Sequence, residues 1–253
     1  MEYGLIGEKL GHSYSKVIHE KLADYTYDIC PLTKEEFKDF MEKKDFTAIN
    51  VTIPYKKDVI PYLTHIDDHA KAIGAVNTIV NKEGELYGYN TDYAGFDYML
   101  KKHSIYVGGK KCIVLGNGGA AQAVIAVLKM RKAKEIILVS PFDEPGVIDY
   151  EECFKNHSDA DIVINTSPVG MFPNVDASPV DLGKFPKCSA AVDIVYNPIE
   201  TRFTAQGRAL GMTAVTGLEM LVAQALYAVE IFKDTKLDEA QIDVIYQEVK
   251  EML

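Results

Sequence analysis

The stretch KCIVLGNGGAAQAVIAVLKM, residues 111–130, limits the possible fold more than any other part of the chain. Lys111–Leu115 is an unbroken apolar run, the pattern of a strand buried on both faces of a parallel sheet. It leads straight into Gly116-Asn117-Gly118-Gly119-Ala120, and then into an alanine-rich helical segment from about Ala121 to Met130. A strand that ends in a glycine turn and opens a helix is the first half of a parallel βαβ unit. Gly116 allows the tight turn. Gly118 and Gly119 let the backbone approach a pyrophosphate, whose charge is favoured at a helix N-terminus. Ala121 stands where a third glycine is usual. Gly116, Asn117, Gly118, Gly119 and Ala120 are therefore candidate dinucleotide contacts, although a ligand-free β–α turn has the same local pattern.

The rest of the chain supports the α/β assignment. Tyr3–Ile6, Ala48–Ile53, Ala75–Val80 and Glu85–Tyr89 read as strands, the last two joined by an Asn-Lys-Glu-Gly turn at 81–84. Ser15–Tyr25 has helical spacing, and Thr33-Lys-Glu-Glu36 has the form of a capping box that opens a helix to about Lys43. A helical stretch starts at Val59–Leu63. Glu135–Ser140, Asp161–Asn165, Ala190–Val195 and Thr213–Val215 are further strands, and Leu218–Phe232 and Asp238–Met252 are amphipathic helices. Repeated β-then-α units predict a parallel sheet with right-handed crossovers. The expected architecture is two-lobed: an N-terminal α/β domain over 1–92, and a Rossmann-like, doubly wound parallel-sheet domain over 93–217. The helices of 218–253 are expected to pack back on the first domain. A chain of 253 residues has ample core for this.

In a dinucleotide fold, the residues just past the second strand read the ribose. Here they are Ser140-Pro-Phe-Asp-Glu-Pro145. No Lys or Arg is present to pair with a 2′-phosphate, whereas Asp143 or Glu144 can accept from a 2′-hydroxyl. Only six residues, 141–146, separate Ser140 from the next apolar piece, Val147-Ile-Asp149, while a parallel crossover takes about a dozen. The helix that normally follows the second strand is thus expected to be missing.

A second feature stands out at NVTIPYKK, residues 50–57, a buried-looking strand that ends in a proline and two lysines. Proline cannot donate to a ladder, so it belongs at a strand end, where it stiffens the backbone leading to the lysines. Lys56 and Lys57 then point opposite ways along extended chain, and one of them is aimed inward.

Composition narrows the partners. The net charge of −10 and a pI near 5.1 offer no basic stripe for nucleic acid. No apolar run approaches membrane-spanning length, and MEYGLIGEKLGHS has no signal-peptide core. With no C-x-x-C pair, Cys30, Cys112, Cys153 and Cys188 read as buried free thiols, and a cytoplasmic location is expected. His12, His19, His65, His69, His103 and His157 lack metal-ligand spacing, so no metal is expected.

Eight short stretches, in order, make the chain resemble the shikimate dehydrogenase family over essentially its full length. They are GHSYS (11–15), NVTIPYK (50–56), GAVNT (74–78), GYNTD (88–92), LGNGGA (115–120), NTSPVGM (165–171), DIVYNP (193–198) and GLEMLVAQA (217–225). The resemblance implies reversible, nicotinamide-dependent reduction of 3-dehydroshikimate to shikimate in aromatic amino-acid (chorismate) biosynthesis, by a monomer or homodimer. Position by position it implies Lys56 and Asp92 as the catalytic pair. Ser13, Ser15, Thr52, Asn77, Tyr196 and Gln224 become substrate ligands, with Ser140, Ile194 and Gly217 as further cofactor contacts. Three places depart from the family pattern, one of them the shortened segment up to Asp161. Lys16 replaces a proline, and Ser140-Pro141-Phe142 replaces an Asn-Arg-Thr whose arginine binds the 2′-phosphate. NADP or NAD is the expected cofactor, and the missing arginine favours NAD. Two alternatives stand beside this reading: an NAD-dependent quinate/shikimate dehydrogenase, and a shikimate-binding regulatory protein with weakened cofactor binding.

The chemistry suits these residues. Ser13 and Ser15, two apart, can both donate to a carboxylate, although Ser15 also stands where a helix N-cap would. Hydride delivery to a ketone develops negative charge on oxygen, which a lysine ammonium meets with a point charge and three donors. Asp92 would hold that ammonium. Asn77 follows a short strand and Gln224 interrupts an apolar helix face, and both need hydrogen-bond partners if buried.

Overall fold

The computed structural model describes every residue except His12, so the expectation for that histidine lies outside the described residues. The chain divides into two compact units, Met1–Gly95 with Leu221–Val249, and Phe96–Met220 with Lys250–Leu253.

In the first unit, β1 (Tyr3–Gly7), β2 (Tyr27–Pro31), β3 (Ala48–Val51), β4 (His65–Ile66), β5 (Thr78–Lys82) and β6 (Glu85–Tyr89) form one sheet in the order β2-β1-β3-β5-β6-β4. Helices α1 (Ser15–Leu22) and α2 (Lys34–Lys43) make the crossovers that keep β1, β2 and β3 parallel, and α3 (Asp68–Ile73) follows β4. β5 runs antiparallel to both β3 and β6. The carboxyl ends of β1, β3 and β6 therefore share one sheet edge with the amino end of β5, and the loops carrying most candidate residues all leave from that edge.

Local sequence explains these elements. The Thr33–Glu36 capping box forms as expected, with Glu36 N–H donating to Thr33 Oγ1 at 3.3 Å and Thr33 N–H to Glu36 Oε2 at 2.8 Å. The β5–β6 hairpin turns on Glu83 and Gly84, both at positive φ, as a two-residue type I′ loop requires. The core gathers Ile6, Phe37, Met41, Ile49, Val51, Ile79 and Leu86. Tyr55 is buried against it, stacked on Phe37 with centroids 4.2 Å apart and donating its hydroxyl to Leu32 O at 2.6 Å. That anchor fixes the residue immediately before Lys56.

In the second unit, β7 (Lys111–Leu115), β8 (Glu135–Val139), β9 (Ile162–Asn165), β10 (Ala190–Asp193) and β11 (Thr213–Val215) form an all-parallel sheet ordered β11-β10-β9-β7-β8. From β7 the chain goes to β8 on one side, and β9 then returns to the other. The switch point thus lies at the carboxyl ends of β7 and β9, where ligands of open α/β sheets gather. Helix α4 (Thr91–Lys102) precedes β7, and α5 (Gly119–Met130), α6 (Tyr150–Asn156) and α7 (Arg202–Ala209) connect the strands. α8 (Leu218–Lys233) and α9 (Ala240–Lys250) follow in the chain, and from Leu221 to Val249 they belong to the first unit. Ile113, Leu115, Val163, Phe185, Ala191 and Phe203 form the core.

Several expectations change. The Ser15–Tyr25 helix stops at Leu22, and Tyr25 instead stacks on Tyr3 with centroids 4.3 Å apart. Ser15 is not an N-cap: Tyr14 holds that place, and Ser15 N–H donates to Ser13 Oγ at 3.3 Å. The stretch after Val59 is a single 3-10 turn, Ile60–Tyr62. The helix after β8 is not missing: α6 (Tyr150–Asn156) makes the crossover to β9, but it is short and starts only after the 141–149 loop, so the spacing up to Val147 did not reveal it. Ile148 makes one isolated parallel bridge to Val139, and residues 147–149 form no strand of the sheet. Among the described residues no helix is long and apolar enough to cross a membrane.

Candidate active site

Lys56 follows the loop out of β3, and Asp92 lies in the first turn of α4 rather than simply after a strand. Lys56 Nζ donates to Asp92 Oδ2 at 2.6 Å, with the two side chains only 14% and 11% exposed. Asn90 holds the start of α4 by accepting from Tyr93 N–H at 3.3 Å. The helix start favours negative charge at Asp92. Asn77 Nδ2 donates to Asp92 Oδ1 at 3.0 Å, so both carboxylate oxygens are held.

Asn77 sits at the amino end of β5, and its amide is fully engaged. Its Nδ2 also reaches Thr91 Oγ1 at 3.1 Å, and its Oδ1 accepts from Thr91 N–H at 2.7 Å and Thr78 Oγ1 at 2.9 Å. Gln224, on α8, joins the same cluster: its Oε1 accepts from Thr91 Oγ1 at 3.4 Å while its Nε2 donates to Leu221 O. Behind Thr78 the bonds continue inward. Asn50 Nδ2 donates to Thr78 Oγ1 at 3.1 Å, and the buried Tyr27 hydroxyl donates to Asn50 Oδ1 at 2.7 Å. Tyr27, Asn50, Thr78 and Thr91 were not singled out from the sequence. The signal was a polar residue at the end of an apolar strand, as in AIN and GAVNT.

Thr52 leaves β3 along the same sheet edge, its N–H donating to Ile6 O at 2.9 Å. Gly7 fits beneath it, since a Cβ there would lie 2.6 Å from the Thr52 methyl. Ser13 and Ser15 follow β1 and are joined to each other. Lys16 clips the helix to β2 by donating to Glu20 Oε1 at 2.6 Å and Tyr27 O at 2.8 Å.

The remaining candidates belong to the second unit. Gly116 turns at φ +100, and a Cβ there would come 3.0 Å from Ser167 N, so the loops after β7 and β9 touch at the switch point. A Cβ at Gly118, the N-cap of α5, would meet nothing within 4 Å, leaving an open approach to the helix start. Thr166 Oγ1 donates to Leu115 O at 2.8 Å and fixes this junction, a part of the site the sequence reading missed. Asn117 accepts from Gln122 Nε2 at 2.9 Å and donates Nδ2 to Glu144. Ala120 lies in the first turn of α5. Ser140 is buried, and its hydroxyl accepts from Phe142 N–H at 3.3 Å. Ile194 and Gly217 lie against each other, with Gly217 N–H donating to Val195 O at 2.9 Å. Tyr196 follows on the same loop and is half-buried.

Asp193, at the end of β10, holds this loop. Its carboxylate accepts from Asn165 Nδ2 at 3.0 Å, Val195 N–H at 3.0 Å and Thr201 Oγ1 at 2.7 Å. Burial outweighs these donors and pushes its pKa up to about 6. The folded state therefore keeps the proton more tightly than the unfolded chain. The contribution is full below the ordinary aspartate range and is lost as pH rises through about 6. Chemical-denaturation curves from pH 4 to pH 7 should show a loss on the order of 2–3 kcal/mol from this group. Asp193→Asn should flatten that part of the profile, and an unchanged slope would rule Asp193 out as its source.

Among the described residues no cluster of three or more His, Cys, Asp or Glu could hold a metal. All four cysteines are free, and burial pushes the Cys153 thiol up to about 11.

One unit with a parallel sheet and a glycine turn at its switch point, and another whose sheet-edge loops and helix start hold a buried Lys–Asp pair, define a two-unit α/β chain with one Rossmann-like unit. The description "Shikimate dehydrogenase substrate binding domain" matches residues 5–79. "Shikimate dehydrogenase (NADP(+))" of Clostridium perfringens is 41% identical over 98% of each chain. A chorismate mutase/shikimate 5-dehydrogenase fusion protein from Clostridium acetobutylicum superimposes with a TM-score of 0.91 at 42% identity, covering 99% of this chain and 97% of that one. The Thermus thermophilus shikimate 5-dehydrogenase solved with NADP(H) and shikimate has a TM-score of 0.86 at 28% identity, covering 98% and 99%. The chain belongs to the shikimate dehydrogenase family.

Proposed function

We propose that the protein reversibly reduces 3-dehydroshikimate to shikimate with a nicotinamide dinucleotide. The observation that carries this reading is the Lys56–Asp92 pair at 2.6 Å, largely buried and held by Asn77. The first unit would bind substrate and the second the dinucleotide, which supplies or accepts the hydride.

Lys56 donates an N–H to the ketone oxygen, where negative charge develops as the carbon is reduced, and supplies the proton of the new hydroxyl. Asp92 holds the ammonium in place and accepts from a neighbouring substrate hydroxyl. Ser13 and Ser15 donate to the substrate carboxylate. Thr52, Gln224 and Tyr196 offer further hydroxyl and amide partners, and Asn77 takes part chiefly through its hold on Asp92. In the second unit, Gly116, Asn117, Gly118, Gly119 and Ala120 form the turn that receives the pyrophosphate. Gly118's open N-cap supports that fit. Ser140, Ile194 and Gly217 complete the dinucleotide contacts.

Purified protein mixed with shikimate and either NAD⁺ or NADP⁺ should produce reduced cofactor, followed at its absorbance band. Shikimate binding without turnover on either dinucleotide would instead identify a ligand-binding regulator.

A further inference from the structure

The loop after β8 carries a carboxylate onto the glycine turn. Ser140 N–H donates to Ile148 O at 3.1 Å and Ile148 N–H to Leu138 O at 2.9 Å, closing residues 141–147 into a compact loop beside the carboxyl end of β8. Val147 N–H donates to Glu144 O at 3.1 Å within that loop. Glu144 is half-buried, and its Oε2 accepts from Asn117 Nδ2. Asp143, beside it, is exposed and makes no hydrogen bond or ion pair to the turn among the described residues. The geometry thus chooses between two acids that the sequence alone left equivalent.

In a strand–turn–helix dinucleotide site, the end of the second strand faces the adenosine ribose, and an acid there accepts from the ribose hydroxyls. Residues 140–149 contain Asp143, Glu144 and Asp149 and no Lys or Arg. A 2′-phosphate would meet a carboxylate already fixed in position, with no cation within residues 140–149 to offset it. Like charges set against each other give specificity by repulsion.

We propose that Glu144 is the specificity-determining residue of the cofactor site: it accepts from the ribose diol of NAD and repels the 2′-phosphate of NADP. The protein would then use NAD, although its Clostridium perfringens relative is named for NADP(+). This rests on the dinucleotide reading of the glycine turn.

Binding of NADH and NADPH to the purified protein, followed by the fluorescence of the reduced nicotinamide and by calorimetry, tests it without turnover. NADH should bind at least about 100-fold more tightly than NADPH. Glu144→Gln keeps the shape and removes the charge, so it should tighten NADPH tenfold or more and change NADH far less. Equal or reversed preference in the parent protein would overturn the proposal, as would a Glu144→Gln variant with an unchanged ratio. Binding of neither dinucleotide would remove the reading of the glycine turn itself, a different outcome from binding both alike.

Discussion

Lys56→Ala should lower kcat for shikimate oxidation by about 10³-fold or more while the protein remains folded. The loss is large because no second cation stands ready: Lys57 is exposed, and Lys56 is the residue whose ammonium reaches Asp92. The fold should survive because Asp92 keeps Asn77 and the start of α4 after the amine is gone. Tyr55, which anchors the preceding backbone, is untouched. Far-UV circular dichroism and a shikimate-binding isotherm should therefore stay near those of the parent. Asp92→Asn should also be slow, and the double variant should be little slower than the worse single one, since groups that act together are not additive. Near-normal turnover in Lys56→Ala would remove the lysine from the reaction.

Gly217→Ala should be the most damaging single methyl in the second unit. A Cβ there would lie 2.0 Å from Ile194 O, 2.4 Å from its carbonyl carbon and 2.9 Å from its Cα. All three are backbone atoms and cannot rotate away. Gly217 N–H is bonded to Val195 O, so the glycine cannot retreat without breaking that contact. Overpacking of this kind costs about 3 kcal/mol or more, which lowers Tm by roughly 6–12 °C in a chain of this size. Gly118→Ala makes the contrast: its Cβ meets nothing within 4 Å, so its melting temperature should match the parent's. The methyl would stand where a pyrophosphate approaches, so NADH binding should weaken. A Gly217→Ala protein as stable as the parent would contradict the packing described for the β10 loop. Unchanged NADH binding in Gly118→Ala would contradict the role given to the glycine turn.

Much of this was legible in the sequence where period and turn chemistry agree. KCIVL announced a central parallel strand, and β7 is flanked on both sides by parallel partners. Thr33–Glu36 announced a capping box, and the Asn-Lys-Glu-Gly stretch a hairpin. The pairing of Lys56 with Asp92 was legible only through the family resemblance, because 36 residues separate them and no local pattern links them. α4 escaped notice because its first five residues include Tyr93 and Gly95, both poorer helix formers, although Phe96, Met99 and Leu100 follow at helical spacing. α6 and α7 are 7 and 8 residues long, too short for periodicity to stand out. The buried partners of Asn77 were invisible for another reason: a hydrogen bond between adjacent strands depends on register, which a single strand's composition does not reveal.

The bonds running from Tyr27 to Asp92 share a direction. Tyr27 donates to Asn50, Asn50 to Thr78, Thr78 to Asn77, and Asn77 to Asp92, each donor facing the carboxylate. An aspartate that offers only acceptors thus dictates which end of each amide faces which neighbour, and the choice is copied inward to a tyrosine on another strand. Reversing any one amide would set two like ends face to face. Side chains that never meet a substrate are in this way tied to the reacting group, and the sheet interior must drift in step with it as sequences diverge.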